Sequence, residues 1–197
     1  MTSDAVVAPL ALKVVVAGGF GVGKTTTVGA ISEIEPLSTD APITEVGAAV
    51  DELSASPDKT DTTAALDFGR ITVASDLVLY LFGTPGQERF TFMWDELARG
   101  AVGAIVAVDT RRLADSFTTV DFFEARHVPF VVAVNCFDGE QRHEAPDVQE
   151  ALAIAPDVPL EFYDARECES VRRVLVRLVE HSLGRARAEL AATGTGP

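Results

Sequence analysis

Residues 10–25 read LALKVVVAGGFGVGKT, and this stretch decides the fold class. Leu10 to Ala17 is an apolar run of strand length, suited to a strand covered on both faces. Gly18-Gly19-Phe20-Gly21-Val22-Gly23-Lys24-Thr25 follows at once and fits G-x-x-x-x-G-K-[ST]. A helical pattern then runs from about Gly23 to Glu35, with Val28, Ile31 and Ile34 on one face. Glycines let successive backbone N–H groups turn inward as a nest for phosphate oxygens. Lys24 is expected to reach the β and γ phosphates, and Thr25 to place its hydroxyl on Mg²⁺. The start of the helix adds its positive end.

Outward from this loop, strands and helices alternate. Ala64 to Val73 and Leu77 to Phe82 read as two strands around a tight turn. A helix is expected over Gln87 to Arg99, and a buried strand over Val102 to Val108. A helix from Leu113 to Arg126 and a strand from Val128 to Val134 follow. After a short helix beyond Pro146 come a strand from Val158 to Tyr163 and a long helix from Cys168 to Leu190. That helix carries Val171, Val174, Leu175 and Leu178 as its apolar stripe. Alternation of this kind predicts an α/β fold with a mostly parallel sheet. Pro36 to Thr62 shows no periodicity and reads as a long acidic loop.

The chain has 197 residues, with 16 Lys and Arg against 30 Asp and Glu, for a net charge of −14. That length supports one core without disulfide staples, and the two cysteines, Cys136 and Cys168, do not make a framework. Such acidity argues against a general nucleic-acid binder and against contact with anionic lipid. A phosphate ligand therefore needs a local positive site, which the Gly-rich loop supplies. No segment has the length of an apolar membrane span, and neither end carries a lipidation signal. The expected compartment is the cytoplasm, with any membrane recruitment through a partner.

Three further motifs narrow the reading. Gly83-Thr84-Pro85-Gly86-Gln87-Glu88-Arg89-Phe90 follows one strand, Asn135-Cys136-Phe137-Asp138 a second and Asp164-Ala165-Arg166 a third. They resemble the D-T-A-G-Q-E, N-K-x-D and S-A-K segments of Ras-like small GTPases, in the same order. The resemblance covers about residues 10–185. The wording is most similar to the prokaryotic MglA-like group, and within it to the GTPase of actinobacterial conservon operons. It implies a P-loop G domain over residues 10–190 between tails at 1–9 and 191–197. The sheet it implies is six-stranded and mostly parallel, with one antiparallel edge strand and helices on both faces. It also implies a Roadblock/LC7-type protein and a sensor-kinase-like protein as partners.

Residue roles follow the same resemblance. Gly18 to Thr25, together with Thr26, would hold the phosphates. Asp138 would read guanine, Asn135 would tie the base loop to the phosphate loop, and the Ala165 N–H would meet the guanine oxygen beside Arg166. Gly86 would touch the γ-phosphate, and Gln87 would orient the attacking water. Thr63 is the choice for the threonine that closes on Mg²⁺ beside Thr25, with Thr60 and Thr62 as alternatives. Lys24, Thr63 and Gln87 are thus the expected catalytic residues.

Departures from the family pattern carry information. Gly83 replaces an aspartate that holds a metal-bound water, so a carboxylate is expected to be missing there. Cys136 replaces a lysine over the base. Phe20 is bulky where Ras has glycine, and residues 26–69 contain no arginine to act in cis. The reading is a GTP-binding switch with slow hydrolysis to GDP. The alternatives are a catalytically weak nucleotide-bound scaffold and an ATP-using P-loop enzyme. Phe90, Met93, Trp94 and Leu97 recur at helical spacing, as a core stripe or a partner face. Asp67-Phe68-Gly69 spells a kinase tripeptide without the accompanying kinase signatures, and reads as chance.

Overall fold

The computed structural model describes residues 9–42, 63–86 and 90–193. Among these, seven strands form one sheet in the order β2-β3-β4-β1-β5-β6-β7. The strands are β1 (Leu10–Gly18), β2 (Leu37–Pro42), β3 (Thr63–Ala74), β4 (Leu77–Gly83), β5 (Ala101–Val108), β6 (Phe130–Asn135) and β7 (Leu160–Tyr163). The helices are α1 (Lys24–Ile31), α2 (Phe92–Ala98), α3 (Phe117–Ala125), α4 (Ala145–Ala151) and α5 (Cys168–Thr193).

The central strands read as unbroken apolar runs because helices cover both faces. All six residues of β6 are buried, as are the last five of β1. Alternate residues of β1 serve two cores. Val14 and Val16 pack with Val131, Val171, Val174 and Leu178, on the face covered by α1 and α5. Val15 and Ala17 pack with Trp94, Val120, Phe123 and Val148, on the face covered by α2, α3 and α4. β1 pairs in parallel with both β4 and β5, so the chain winds outward in two directions from it. Ligands of open α/β sheets sit at the carboxyl ends of the strands at such a reversal.

The α/β architecture and six of the strands follow the sequence pattern. A seventh strand, β2, adds to the outside of β3, where a loop was expected, so the antiparallel strand lies one position in from the edge. Its sequence, LSTDAP, has no alternation to announce it. The first helix ends at Ile31 rather than Glu35. Ser32 stops it: its hydroxyl donates to the Ile34 carbonyl and accepts from the Ile34 and Arg70 N–H groups, so the chain turns toward β3. At the other end of the chain, α5 runs on to Thr193.

Candidate functional site

The site grows from the carboxyl end of β1. Gly18 has φ +142°, and a Cβ there would lie 2.4 Å from the Ala107 carbonyl oxygen on β5. Only glycine lets the loop leave the sheet at this point. Gly21 and Gly23 also take left-handed angles, φ +74° and +107°. Gly23 opens α1 without a side-chain cap, and no acidic residue stands in the first turn. The positive end of the helix is therefore left to a ligand.

Lys24 folds back across the loop. Its ammonium donates to the Gly18 and Gly19 carbonyls at 2.9 and 2.7 Å. Burial pushes its pKa down to about 8, against the pull of the Asp67 carboxylate, which raises it. Gly86 closes over this group, since a Cβ there would lie 2.6 Å from Lys24 Nζ and 2.9 Å from Phe20 Cα. The structure thus brings Gly86 against the phosphate loop. The cleft between them has a volume of about 330 Å³ and includes Thr25, Thr26, Asp67 and Thr84.

Asp67 is the residue that sequence reasoning missed. It lies on β3 opposite Gly83 on β4. Its carboxylate accepts from the Thr25 hydroxyl at 2.6 Å, and the side chain is buried. A Cβ on Gly83 would lie 2.9 Å from Asp67 Oδ2. The carboxylate expected to be missing at Gly83 is therefore supplied from the neighbouring strand. The Asp67-Phe68-Gly69 tripeptide, read as chance in kinase terms, places this acid in the cleft. Its signal lay in the cross-strand pairing, which the sequence does not display.

This constellation fits Mg²⁺. The Thr25 hydroxyl and the Asp67 carboxylate are hard oxygen donors side by side. The Thr84 hydroxyl is buried at the same cleft with no hydrogen-bond partner among the described residues. No cluster of three or more His, Cys, Asp or Glu suited to a metal occurs among those residues. That is ordinary for Mg²⁺ held by one or two protein groups and substrate phosphates.

The second side of the site is welded to the first by Asn135. Its amide donates to the Val22 carbonyl at 3.0 Å, and its Oδ1 accepts from the Ala165 N–H at 3.2 Å. Asn135 thus links the phosphate loop to the loop that follows β7. The Ala165 N–H, expected to face a base, here donates to Asn135. Below them, the buried Tyr163 hydroxyl meets Thr27 at 2.9 Å, and burial pushes the phenol up to about 12. Arg166 forms a two-pronged pair with Asp164 at 2.9 and 2.7 Å, and Arg111 makes the matching pair with Asp109 at 2.9 and 2.8 Å. Arg111 also lies 4.0 Å over the Phe137 ring. The pairs flank the 135–138 loop at the carboxyl ends of β7 and β5.

Arg112 reaches the loop from the carboxyl end of β5. It donates to the Phe20 carbonyl at 3.4 Å and pairs with Asp115. Phe20 itself is 66% exposed. Gln87, Arg89, Thr60 and Thr62 lie outside the described residues, as do the side chains of Thr63 and Asp138. Phe90 and Trp94 are buried, so the helical stripe is core, while Phe92 is half exposed.

Residues 16–185 match the model of a family described as a conserved hypothetical ATP binding protein. An uncharacterised protein of Methanocaldococcus jannaschii is 30% identical over 129 residues, covering 64% of this chain and 71% of that protein. Among solved structures, the G domain of the T. maritima FeoB iron transporter superposes with a TM-score of 0.61 at 18% identity. That match covers 88% of this chain and 99% of the G domain. The cytosolic domain of the same transporter in a GDP form gives a TM-score of 0.64 at 17% identity, over 89% of this chain and 65% of that one. In apo form the values are 0.62 and 17%, over 88% of this chain, which spans 64% of that cytosolic domain. With the loop, the lysine and the sheet order in place, the chain belongs to the conserved hypothetical ATP binding protein family and has the P-loop nucleotide-binding fold.

Proposed function

We propose that the protein is a GTP-binding molecular switch that hydrolyses GTP slowly to GDP. The observation that carries this reading is the pair of hydrogen bonds made by the Asn135 side chain, one to the Val22 carbonyl of the phosphate loop and one from the Ala165 N–H. In this reading Asp138 accepts from the guanine ring N1–H and 2-amino group, where adenine has an unprotonated ring nitrogen and a C–H. Thr25 and Asp67 would hold Mg²⁺, which when bound neutralises charge on the β and γ phosphates. Lys24 stabilises the transferring phosphate, Gln87 orients water and Thr63 closes over the site. The rate is slow because no arginine stands in residues 26–69. A missing arginine finger is worth about 10³–10⁵ in turnover. By resemblance to the MglA-like group, a Roadblock/LC7-type protein reads the nucleotide state and a sensor-kinase-like protein acts in the same system.

The family description favours a second reading, an ATP-using P-loop enzyme. Displacement of a fluorescent GDP analogue by GTP and by ATP, in Mg²⁺, separates the two. GTP alone is expected to compete, and Asp138→Ala is expected to abolish that preference. Equal competition by ATP overturns the guanine reading and leaves the phosphate loop intact.

A further inference from the structure

The first turn of α1 holds a polar contact that the apolar packing around it does not need. Thr27 is 1% exposed and Tyr163 2% exposed, and their hydroxyls meet at 2.9 Å. Tyr163 packs with Val14, Val28, Val131, Val174 and Leu178 in a core that is otherwise aliphatic among the described residues. Replacing both members of a buried hydrogen-bonded pair by apolar groups of the same shape is close to neutral for stability. The use of these two hydroxyls therefore lies in what they orient.

Proton counting gives the contact a direction. The Thr27 hydroxyl donates to the Gly23 carbonyl at 2.8 Å, so the hydrogen between the two side chains is the phenol's. The Thr27 N–H donates to the same carbonyl, also at 2.8 Å. Both lone pairs of the Gly23 oxygen are thus taken, and the Gly23–Lys24 peptide is held from its carbonyl side. In a trans peptide the N–H points opposite to the carbonyl. The Lys24 N–H, which a helix start leaves without a partner inside the helix, is therefore aimed into the turn of the phosphate loop. Tyr163 is a firm base for this relay. Its own carbonyl accepts from the Cys136 N–H at 2.7 Å, and β7 holds it in register with Asn135.

We infer that Thr27 and Tyr163 are positioning residues for a bound nucleoside diphosphate. The relay from Tyr163 through Thr27 to the Gly23 carbonyl aims the Lys24 N–H at the β-phosphate, the group that the lysine's own ammonium is expected to reach. Both side chains are buried and act only through the Gly23–Lys24 peptide. The inference rests on the phosphate-loop part of the function proposed above and holds for either base.

The test compares diphosphate with monophosphate. GDP, GMP, ADP and AMP compete in Mg²⁺ against a fluorescent GDP analogue on the full-length chain, and the urea midpoint without nucleotide reports folding. Tyr163→Phe, Thr27→Val and the two together are expected to weaken GDP by about tenfold, the worth of one hydrogen bond, with little change for GMP. Thr27→Ser keeps the hydroxyl and should keep the native ratio of GDP to GMP affinity. The double variant leaves no buried hydroxyl unpaired and should unfold close to the native midpoint. An unchanged ratio in the double variant, an equal loss for GMP or a lost ratio in Thr27→Ser overturns the inference. Equal competition by ADP overturns the guanine reading alone, because the ratio of diphosphate to monophosphate is then read with ADP and AMP.

Discussion

Asp67 shows how much of the site depends on one side chain. Its carboxylate holds the Thr25 hydroxyl at 2.6 Å and raises the pKa of Lys24 against the effect of burial. Both partners belong to the phosphate loop, so Asp67 reaches the phosphate loop from outside it. Asp67→Asn keeps the shape and removes the charge. The Mg²⁺ concentration needed to retain a fluorescent GDP analogue should rise about 10–100-fold, as for other residues that support a metal ligand. Binding measured in excess chelator should not change. An unaltered Mg²⁺ requirement removes Asp67 from the metal site. The sequence made Lys24, Thr25 and Asn135 legible because each sits in a motif of fixed spacing. Asp67 was not, because its meaning depends on a residue sixteen positions away on another strand.

At the scale of the elements, the β3–β4 pair is built around that same contact. Gly83 is small because Asp67 fills the space opposite, its Cβ 3.0 Å from where a Gly83 Cβ would stand. Gly83→Ala should cost about 1–3 kcal/mol as an overpacked contact, read as a lower denaturation midpoint. Moving the acid, as Asp67→Gly with Gly83→Asp, should recover nucleotide retention that Asp67→Gly alone loses. Failure of the exchange to recover any retention argues that the strand of origin matters as well as the charge. Elements with strong local patterns were legible: β1, β5, β6 and α5 bury continuous or helical apolar sets. β2 was hidden because its order comes from the edge of β3, and α1 ended early because the Ser32 hydroxyl bonds the backbone of Ile34 and Arg70.

The whole molecule divides into two cores separated by the sheet, and the nucleotide loop is anchored to both through alternate residues of β1. Trp94 belongs to the core under α2, α3 and α4. It is 4% exposed and meets Phe122 edge-on at 5.3 Å. It is also the one tryptophan in the chain. Excited at the indole band, the protein therefore emits from a single dry environment, with a blue-shifted maximum. Loss of α2 and α3 packing floods that environment with water and shifts the light to the red. In urea, the colour change should coincide with loss of far-ultraviolet circular dichroism, as a two-state domain requires. A colour change that comes earlier would mean the α2–α3 layer melts ahead of the sheet. The protein thus carries its own dye, fixed in one of its two cores and calibrated by its own fold.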